Sequence, residues 1–350
     1  MRSAEFEALL DLSAAIGADP GRMRGIGGST SIKEGDRLWI TASSLPLAQA
    51  RQRELMVPIA LEPLLRALES EDDVRDLREH NHAGACTPDR PKPSIDAALH
   101  ALMPNRVVVH VHCLETMATT VQANAEAIAA ERLATIPHVF VPYARPGLPL
   151  ARSAAARLQD DTCVLLLGNH GLVAAAETVA EVRVLLDAVA DRLRVAPRTG
   201  APADRDALLR LAFNSHYCLP DEDRLHRTAT DFESCRIAAA GSLHPDHVIH
   251  LGRGVTIAAP DDTAATIEQR CRTSAIPLPP LLLFPGKGVL VLKGIAAGPL
   301  AMAGCLAEIA ARVPAGARLR YLDRAEEAAL LGCDADRARH EVNYEGQVLQ

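Results

Sequence analysis

The chain has 350 residues, 48% of them hydrophobic, a formal net charge of −7 and a pI near 6.0, enough to build one large core or two moderate ones. No basic stripe accompanies the acidic balance and aromatic residues make up only 3%, which argues against a nucleic-acid partner and against base-stacking platforms. No stretch reaches the roughly 18 uninterrupted apolar residues of a membrane span.

In chain order, residues 4–18 predict an amphipathic helix with acids spread along it, not a signal peptide. Residues 24–31, RGIGGSTS, predict a glycine-rich loop, 37–43 a strand, 57–69 a helix and 79–94 a turn-rich loop. A short helix is expected over 95–102, stopped by Pro104 and Asn105, then a β-branched strand over 106–113 and a helix over 114–133. A strand at 138–147 runs into a turn, two short strands flank a tight turn within 162–176, and a well-patterned helix covers 178–196. The Pro/Gly/Ala-rich 196–204 predicts a linker. Past it come a helix, short strands at VIHLG, VTIAA, LLLFPG and GVLVLKG, and a helix at 298–312. The alternation predicts a helix-covered sheet in the first 200 residues and a smaller α/β unit after it. The eight cysteines (86, 113, 163, 218, 235, 271, 305, 333) form no CxxC pair and predict small buried hydrophobes in a reducing cytoplasm.

The sharpest chemical signal is His110-Val111-His112. Alternate residues of a strand share a face, so both imidazoles can reach one ion, and the flanking valines stiffen the frame. The competing reading is two histidines on an ordinary sheet face. Gly168-Asn169-His170-Gly171 presents another histidine on a tight turn between apolar runs. Alone it is a turn histidine; beside the strand pair it becomes the third ligand of a catalytic site with an open position. Ser94-Ile95-Asp96, four residues before His100, places a carboxylate and an imidazole on one helix face, with Ser94 as N-cap. Asp96 is then a general acid/base oriented by His100, or merely a first-turn carboxylate favoured by the helix dipole. The run from Gly25 to Ser31 offers amides and hydroxyls to an anion, Gly28, Ser29 and Thr30 foremost, with Ser43 and Ser44 after the next strand. It is neither a Walker loop nor a dinucleotide turn. Two rival groups, His80/His82 with Cys86 and His244/His247/His250, are read as a frameless loop and a surface corner. Cys113 is expected to face the opposite side from His112 and join the core.

These motifs together, GIGGSTSIK, LWITASS, PSIDAALHALMPNRVVVHVH, PYARPGLPLA and LLLGNHGLV, resemble the class II aldolase/adducin family over roughly residues 5–195, most closely its rhamnulose-1-phosphate aldolase-like branch. The resemblance implies a three-layer α/β/α sandwich with a mainly antiparallel sheet over 1–197 and a C-terminal α/β extension over 205–350. It implies one divalent metal, zinc or else manganese, cobalt or iron(II), on His110, His112 and His170. It implies a cytoplasmic homo-oligomer, a tetramer foremost, acting on a carbohydrate-like molecule. The implied reaction is cleavage of a C–C bond in a hydroxy-ketone through a metal-stabilised enediolate, with Asp96 moving the proton. Gly28, Ser29, Thr30, Ser43, Ser44 and Ser94 would line the far end. The alternatives are decarboxylation or epimerisation of a small hydroxy or keto acid on the same site, and an adducin-like scaffold without turnover. Three positions depart from the family: Ser29 replaces an asparagine, Ser44 a glycine, and Asp96 a glutamate. The first two belong to the family's phosphate contacts, so both a sugar and a sugar phosphate fit the expectation.

Overall fold

A computed structural model describes residues 2–23, 27–43, 45–69 and 91–332. The chain divides into two compact units, one of residues 1–120 and 124–194, the other of 121–123 and 195–350.

The first unit opens with α1 (Ala4–Ala18), whose N-cap Ser3 accepts from the Phe6 N–H. There follow β1 (Ser29–Glu34), β2 (Arg37–Thr41), β3 (Met56–Ala60), α2 (Leu61–Glu69), α3 (Ala97–Leu102), β4 (Val107–Val111), α4 (Leu114–Thr120) and α5 (Ala125–Arg132). Then come β5 (His138–Val141), α6 (Leu148–Ala155), β6 (Val164–Leu167), β7 (Gly171–Ala176) and α7 (Val179–Leu193). The seven strands form one sheet in the order β3-β2-β1-β4-β7-β6-β5, and every pairing except β5–β6 is antiparallel.

Alternation along β4 sorts the side chains between two cores. Val107, Val109 and Val111 join Phe6, Leu9 and Ile16 of α1 and Val182, Leu186 and Val189 of α7 on one face. Val108 joins Leu99 of α3, Leu64 of α2 and Leu150 and Ala151 of α6 on the other. Helices on both faces of a mainly antiparallel sheet make the expected α/β/α layering.

The local expectations fail in instructive places. The predicted helix over 57–69 starts as strand β3. This is the sheet's edge, where Pro58 removes no needed ladder donor. The predicted glycine loop is already strand from Ser29, because β1 finds partners in both β2 and β4. The single helix expected over 114–133 is two, interrupted at 121–124 after the β-branched pair Thr119-Thr120. The Gly25-Ile26 part of the loop, Ser44, the histidine pair at 80 and 82, and Cys86 and Cys333 lie outside the described residues.

The second unit contains α8 (Arg205–Leu211), β8 (Tyr217–Cys218), α9 (Arg227–Thr230), α10 (Phe232–Ala239) and α11 (Pro245–Leu251). It continues through β9 (Thr256–Ile257), α12 (Ala264–Thr273), β10 (Leu281–Phe284), β11 (Gly288–Leu292), α13 (Ala297–Arg312) and α14 (Arg324–Leu331). Its sheet runs β8-β11-β10-β9. The strand expected at VIHLG is the helix α11: Pro245 sits in its first turn and Gly252, at φ +84°, ends it. The surface corner expected at His244, His247 and His250 is corrected with it, since all three are buried along that helix. The six described cysteines are free, but only Cys113 and Cys305 are buried; the other four are partly exposed. No described helix is long and apolar enough to cross a membrane.

Candidate metal centre

Three imidazoles from two separate stretches of chain converge in the first unit. His110 lies on β4, His112 one residue past its end, and His170 on the three-residue turn joining β6 to β7. Because β4 pairs directly with β7, the turn is brought beside the strand end. The ring centroids of His110, His112 and His170 are 4.9 to 5.1 Å apart, and one ligand atom from each lies within 4.8 Å of the others. All three residues are buried.

Two backbone details hold the turn. Asn169 takes φ +53°, a left-handed conformation open to asparagine, and its N–H donates to Thr120 O at 3.1 Å. Gly171 permits the close approach. A Cβ there would stand 2.6 Å from Val111 O and 3.1 Å from the His112 ring.

Asp96, at the N-cap position of α3 and 6% exposed, places Oδ2 3.1 Å from His110 Nδ1. Burial alone would raise the carboxyl's pKa, but the charge and hydrogen bond of His110 and the charges of His170 and His100 outweigh it. The carboxyl is therefore held well below the usual range and is ionised. An ionised carboxylate only accepts, so Nδ1 of His110 donates to it. Nε2 of the same ring is buried and has no hydrogen-bond partner. An imidazole with its outer nitrogen anchored on a carboxylate and its inner nitrogen buried and unpartnered has the arrangement a metal ligand requires. The donor set of three imidazoles suits zinc and its neighbours among the divalent transition ions.

His100 does not orient Asp96 directly. Its Nε2 is 2.8 Å from Ser29 Oγ and its Nδ1 is 2.7 Å from Ser31 Oγ, while Ser29 Oγ lies 3.4 Å from Asp96 Oδ2. Burial, assisted by the nearby His110 and Lys33 charges and opposed by Asp96, pushes the His100 pKa down to about 3, so the ring is neutral. One polarity satisfies the chain. Ser31 donates to His100 Nδ1, His100 Nε2–H donates to Ser29, and Ser29 donates to Asp96. Sequence reasoning reaches Ser31 only as the end of the glycine-rich run; the signal for its contact with His100 is its place two residues beyond Ser29 on one strand.

The remaining expected residues separate. Ser29 and His110 are directly paired across β1 and β4, so Ser29 belongs to the site, as a support for Asp96. Thr30 does not reach it. It faces the opposite side of the sheet, its hydroxyl 2.7 Å from Ser13 of α1. This corrects its assignment to an anion-binding loop. Gly28, at φ +68°, serves close packing: a Cβ would meet His110 O at 2.5 Å. Ser94 Oγ accepts from the Asp96 N–H at 3.2 Å and its own N–H donates to Thr41 O. Ser43, partly exposed, donates its N–H to Lys92 O at 2.7 Å. Among the described residues only His110, His112 and His170 form a metal-competent group, so His244, His247 and His250 do not.

Comparison with known proteins adds to this geometry. The chain is similar to the "Uncharacterized oxidoreductase YuxG" of Bacillus subtilis (strain 168), 29% identical over 185 residues; the match covers 49% of this chain and 26% of that protein. The chain thus spans about a quarter of that relative's length. It resembles the N-terminal class II aldolase domain of a protein from Thermoplasma acidophilum, at 24% identity and TM-score 0.48, over 55% of this chain and 93% of that one. It also resembles the L-fuculose-1-phosphate aldolase of Thermus thermophilus, at 18% identity and TM-score 0.36, over 55% and 93% of the two chains. The model of the class II aldolase and adducin N-terminal domain matches residues 7–196, more than half of the sequence and all three converging histidines, and on that match the chain belongs to the class II aldolase and adducin family.

Proposed function

We propose that the first unit is a metal-dependent lyase domain that cleaves a C–C bond in a hydroxy-ketone sugar or sugar phosphate. The observation that supports this reading most is the unsatisfied Nε2 of His110 beside two further buried imidazoles, with Asp96 accepting from its Nδ1. His110, His112 and His170 would hold one divalent ion, zinc foremost. Such an ion, when bound, supplies Lewis-acid stabilisation of the negative charge that develops as the bond breaks.

The protein's own groups account for the rest. Asp96 commits Oδ2 to His110, while its Oδ1 is buried without a hydrogen-bond partner, leaving that oxygen to take up and return the substrate proton. Ser29, backed by His100 and Ser31, holds the carboxylate in place. Ser94 fixes the backbone at the start of α3. Ser43 and the Gly28 end of β1 are proposed to face the substrate's distal end. The shorter Asp96, in place of the family's glutamate, is compatible with the orienting contact to His110. We propose that the protein acts as a homo-oligomer, which sedimentation would test.

The experiment is metal analysis of the purified chain alongside a His110→Ala/His112→Ala variant, followed by product analysis with sugars and sugar phosphates. About one ion per chain, lost in the variant, together with aldehyde release supports the aldolase. Carbon dioxide release with the same metal content would move the assignment to a decarboxylase. Absence of metal after reconstitution would leave the non-catalytic scaffold.

A further inference from the structure

The donors that an anion would need at the far end of the metal site are already bonded inside the first unit. Thr30 is fully buried; its N–H donates to Thr41 Oγ1 at 3.0 Å and its hydroxyl closes on Ser13, on the other face of the sheet. Ser29 is fully buried too, and its hydroxyl lies between His100 Nε2 at 2.8 Å and Asp96 Oδ2 at 3.4 Å. The Ser43 N–H donates to Lys92 O, and the Ser94 N–H to Thr41 O. The Asp96 N–H donates to Ser94 Oγ at 3.2 Å. That same Ser94 oxygen is 3.5 Å from Asp96 Oδ2. An oxyanion binds by accepting several hydrogen bonds at once, and here the amides and hydroxyls in reach are spent on the protein itself.

Charge acts in the same direction. Ser29 and Ser94 bring their hydroxyls to one carboxylate oxygen, which also accepts from His110. A phosphate or carboxylate held by Ser94 would stand against the Asp96 carboxylate, where two negative charges repel far more strongly than in open water. A neutral hydroxyl carries neither penalty. It donates and accepts, so it can join a serine or a carboxylate without an uncommitted amide.

We infer, resting on the reading of the first unit as a hydroxy-ketone lyase, that the substrate of this site is unphosphorylated: a free polyhydroxylated ketone whose distal end is a neutral hydroxyl. The partly exposed Ser43 and Ser94 then meet hydroxyls of the substrate, not an anionic headgroup.

Deuterium exchange tests this. The zinc-loaded full chain is incubated in heavy water with dihydroxyacetone or with dihydroxyacetone phosphate, and loss of the C–H signal beside the carbonyl is followed by proton NMR. Both probes are achiral, so configuration does not enter. Exchange of the free ketone is expected with a kcat/KM comparable to or greater than that of the ester, and H112A should abolish exchange of both. A phosphate held by two charge-assisted hydrogen bonds would favour the ester by about 100-fold. A preference for the ester of about tenfold or more therefore overturns the assignment while leaving the lyase standing. No exchange of either probe, in a chain that holds its metal, overturns the lyase reading instead. Titration calorimetry with the same two probes then judges the substrate class: tighter binding of the ester overturns it, and equal or tighter binding of the ketone supports it.

Discussion

Two buried histidine groups, one in each unit, show what distinguishes a ligand set from packing. His110, His112 and His170 come from a strand and a turn that pairing brings together, and their nitrogens point at a common space. His244, His247 and His250 follow one another at helical spacing on and beside α11. His247 spends its Nδ1 accepting the Leu243 N–H at 3.2 Å, and its ring centroid lies 5.9 Å from that of His244. Burial is common to both groups. Among the described residues, convergence of three ligand atoms belongs only to the first.

The largest expected effect tests that convergence. His112→Ala should remove the ion and lower activity by more than about 100-fold, exceeding the 10–100-fold usual for residues that only support a ligand. His247→Ala should keep full metal content. Metal loss in the second variant, or retention in the first, would reverse the comparison. Asp96 comes next. Asp96→Asn should weaken metal affinity about 10–100-fold through His110 and reduce turnover by about 10²–10⁴-fold through the lost base. Equal losses in both readouts would reduce Asp96 to its orienting role. Gly171→Ala, forcing a Cβ to 2.6 Å from Val111 O, should cost about 1–3 kcal/mol in a denaturant melt and loosen the metal, whereas Gly254→Ala, where a Cβ meets open space, should leave the metal untouched.

The smallest effect concerns pH. Burial lowers the His247 pKa from 6.5 to about 4, so between those values the unfolded chain binds the extra proton. Stability from this residue is complete above about pH 6.5, falls as the pH drops toward 4, and falls no further below it. Melting temperatures of the parent and His247→Gln across that window should converge on the acid side. Parallel curves would show that the residue does not titrate there.

The parts legible in the sequence are those fixed by neighbours in the chain. Val111 between two histidines announces a shared face, and Gly168 and Gly171 around Asn169-His170 announce a turn. The parts that escaped depend on distant pairing. Ser29 and Ser31 follow a glycine run that reads as loop, and their pairing with distant strands, Ser29 with β4 and Ser31 with both β2 and β4, makes them strand. Met56–Ala60 is an apolar run that local pattern cannot separate from the helix after it, and an edge position decides the matter. The β-branched Val248-Ile249 favours a strand, yet Pro245 and Gly252 bracket a helix around it. Adjacency in sequence groups Thr30 with Ser29, although adjacency in a strand means opposite faces.

The direct pairing of Ser29 with His110 has a consequence for insertional tolerance. A single added or deleted residue within β1 would present Thr30 to His100 in place of Ser29 and send a core side chain into the polar layer. A change of two residues would preserve the faces while shifting the site along the sheet. Length variation in this strand is therefore filtered by parity, and the β1–β2 turn at Gly35, distant from His110 in the register, is where single-residue changes are absorbed at least cost.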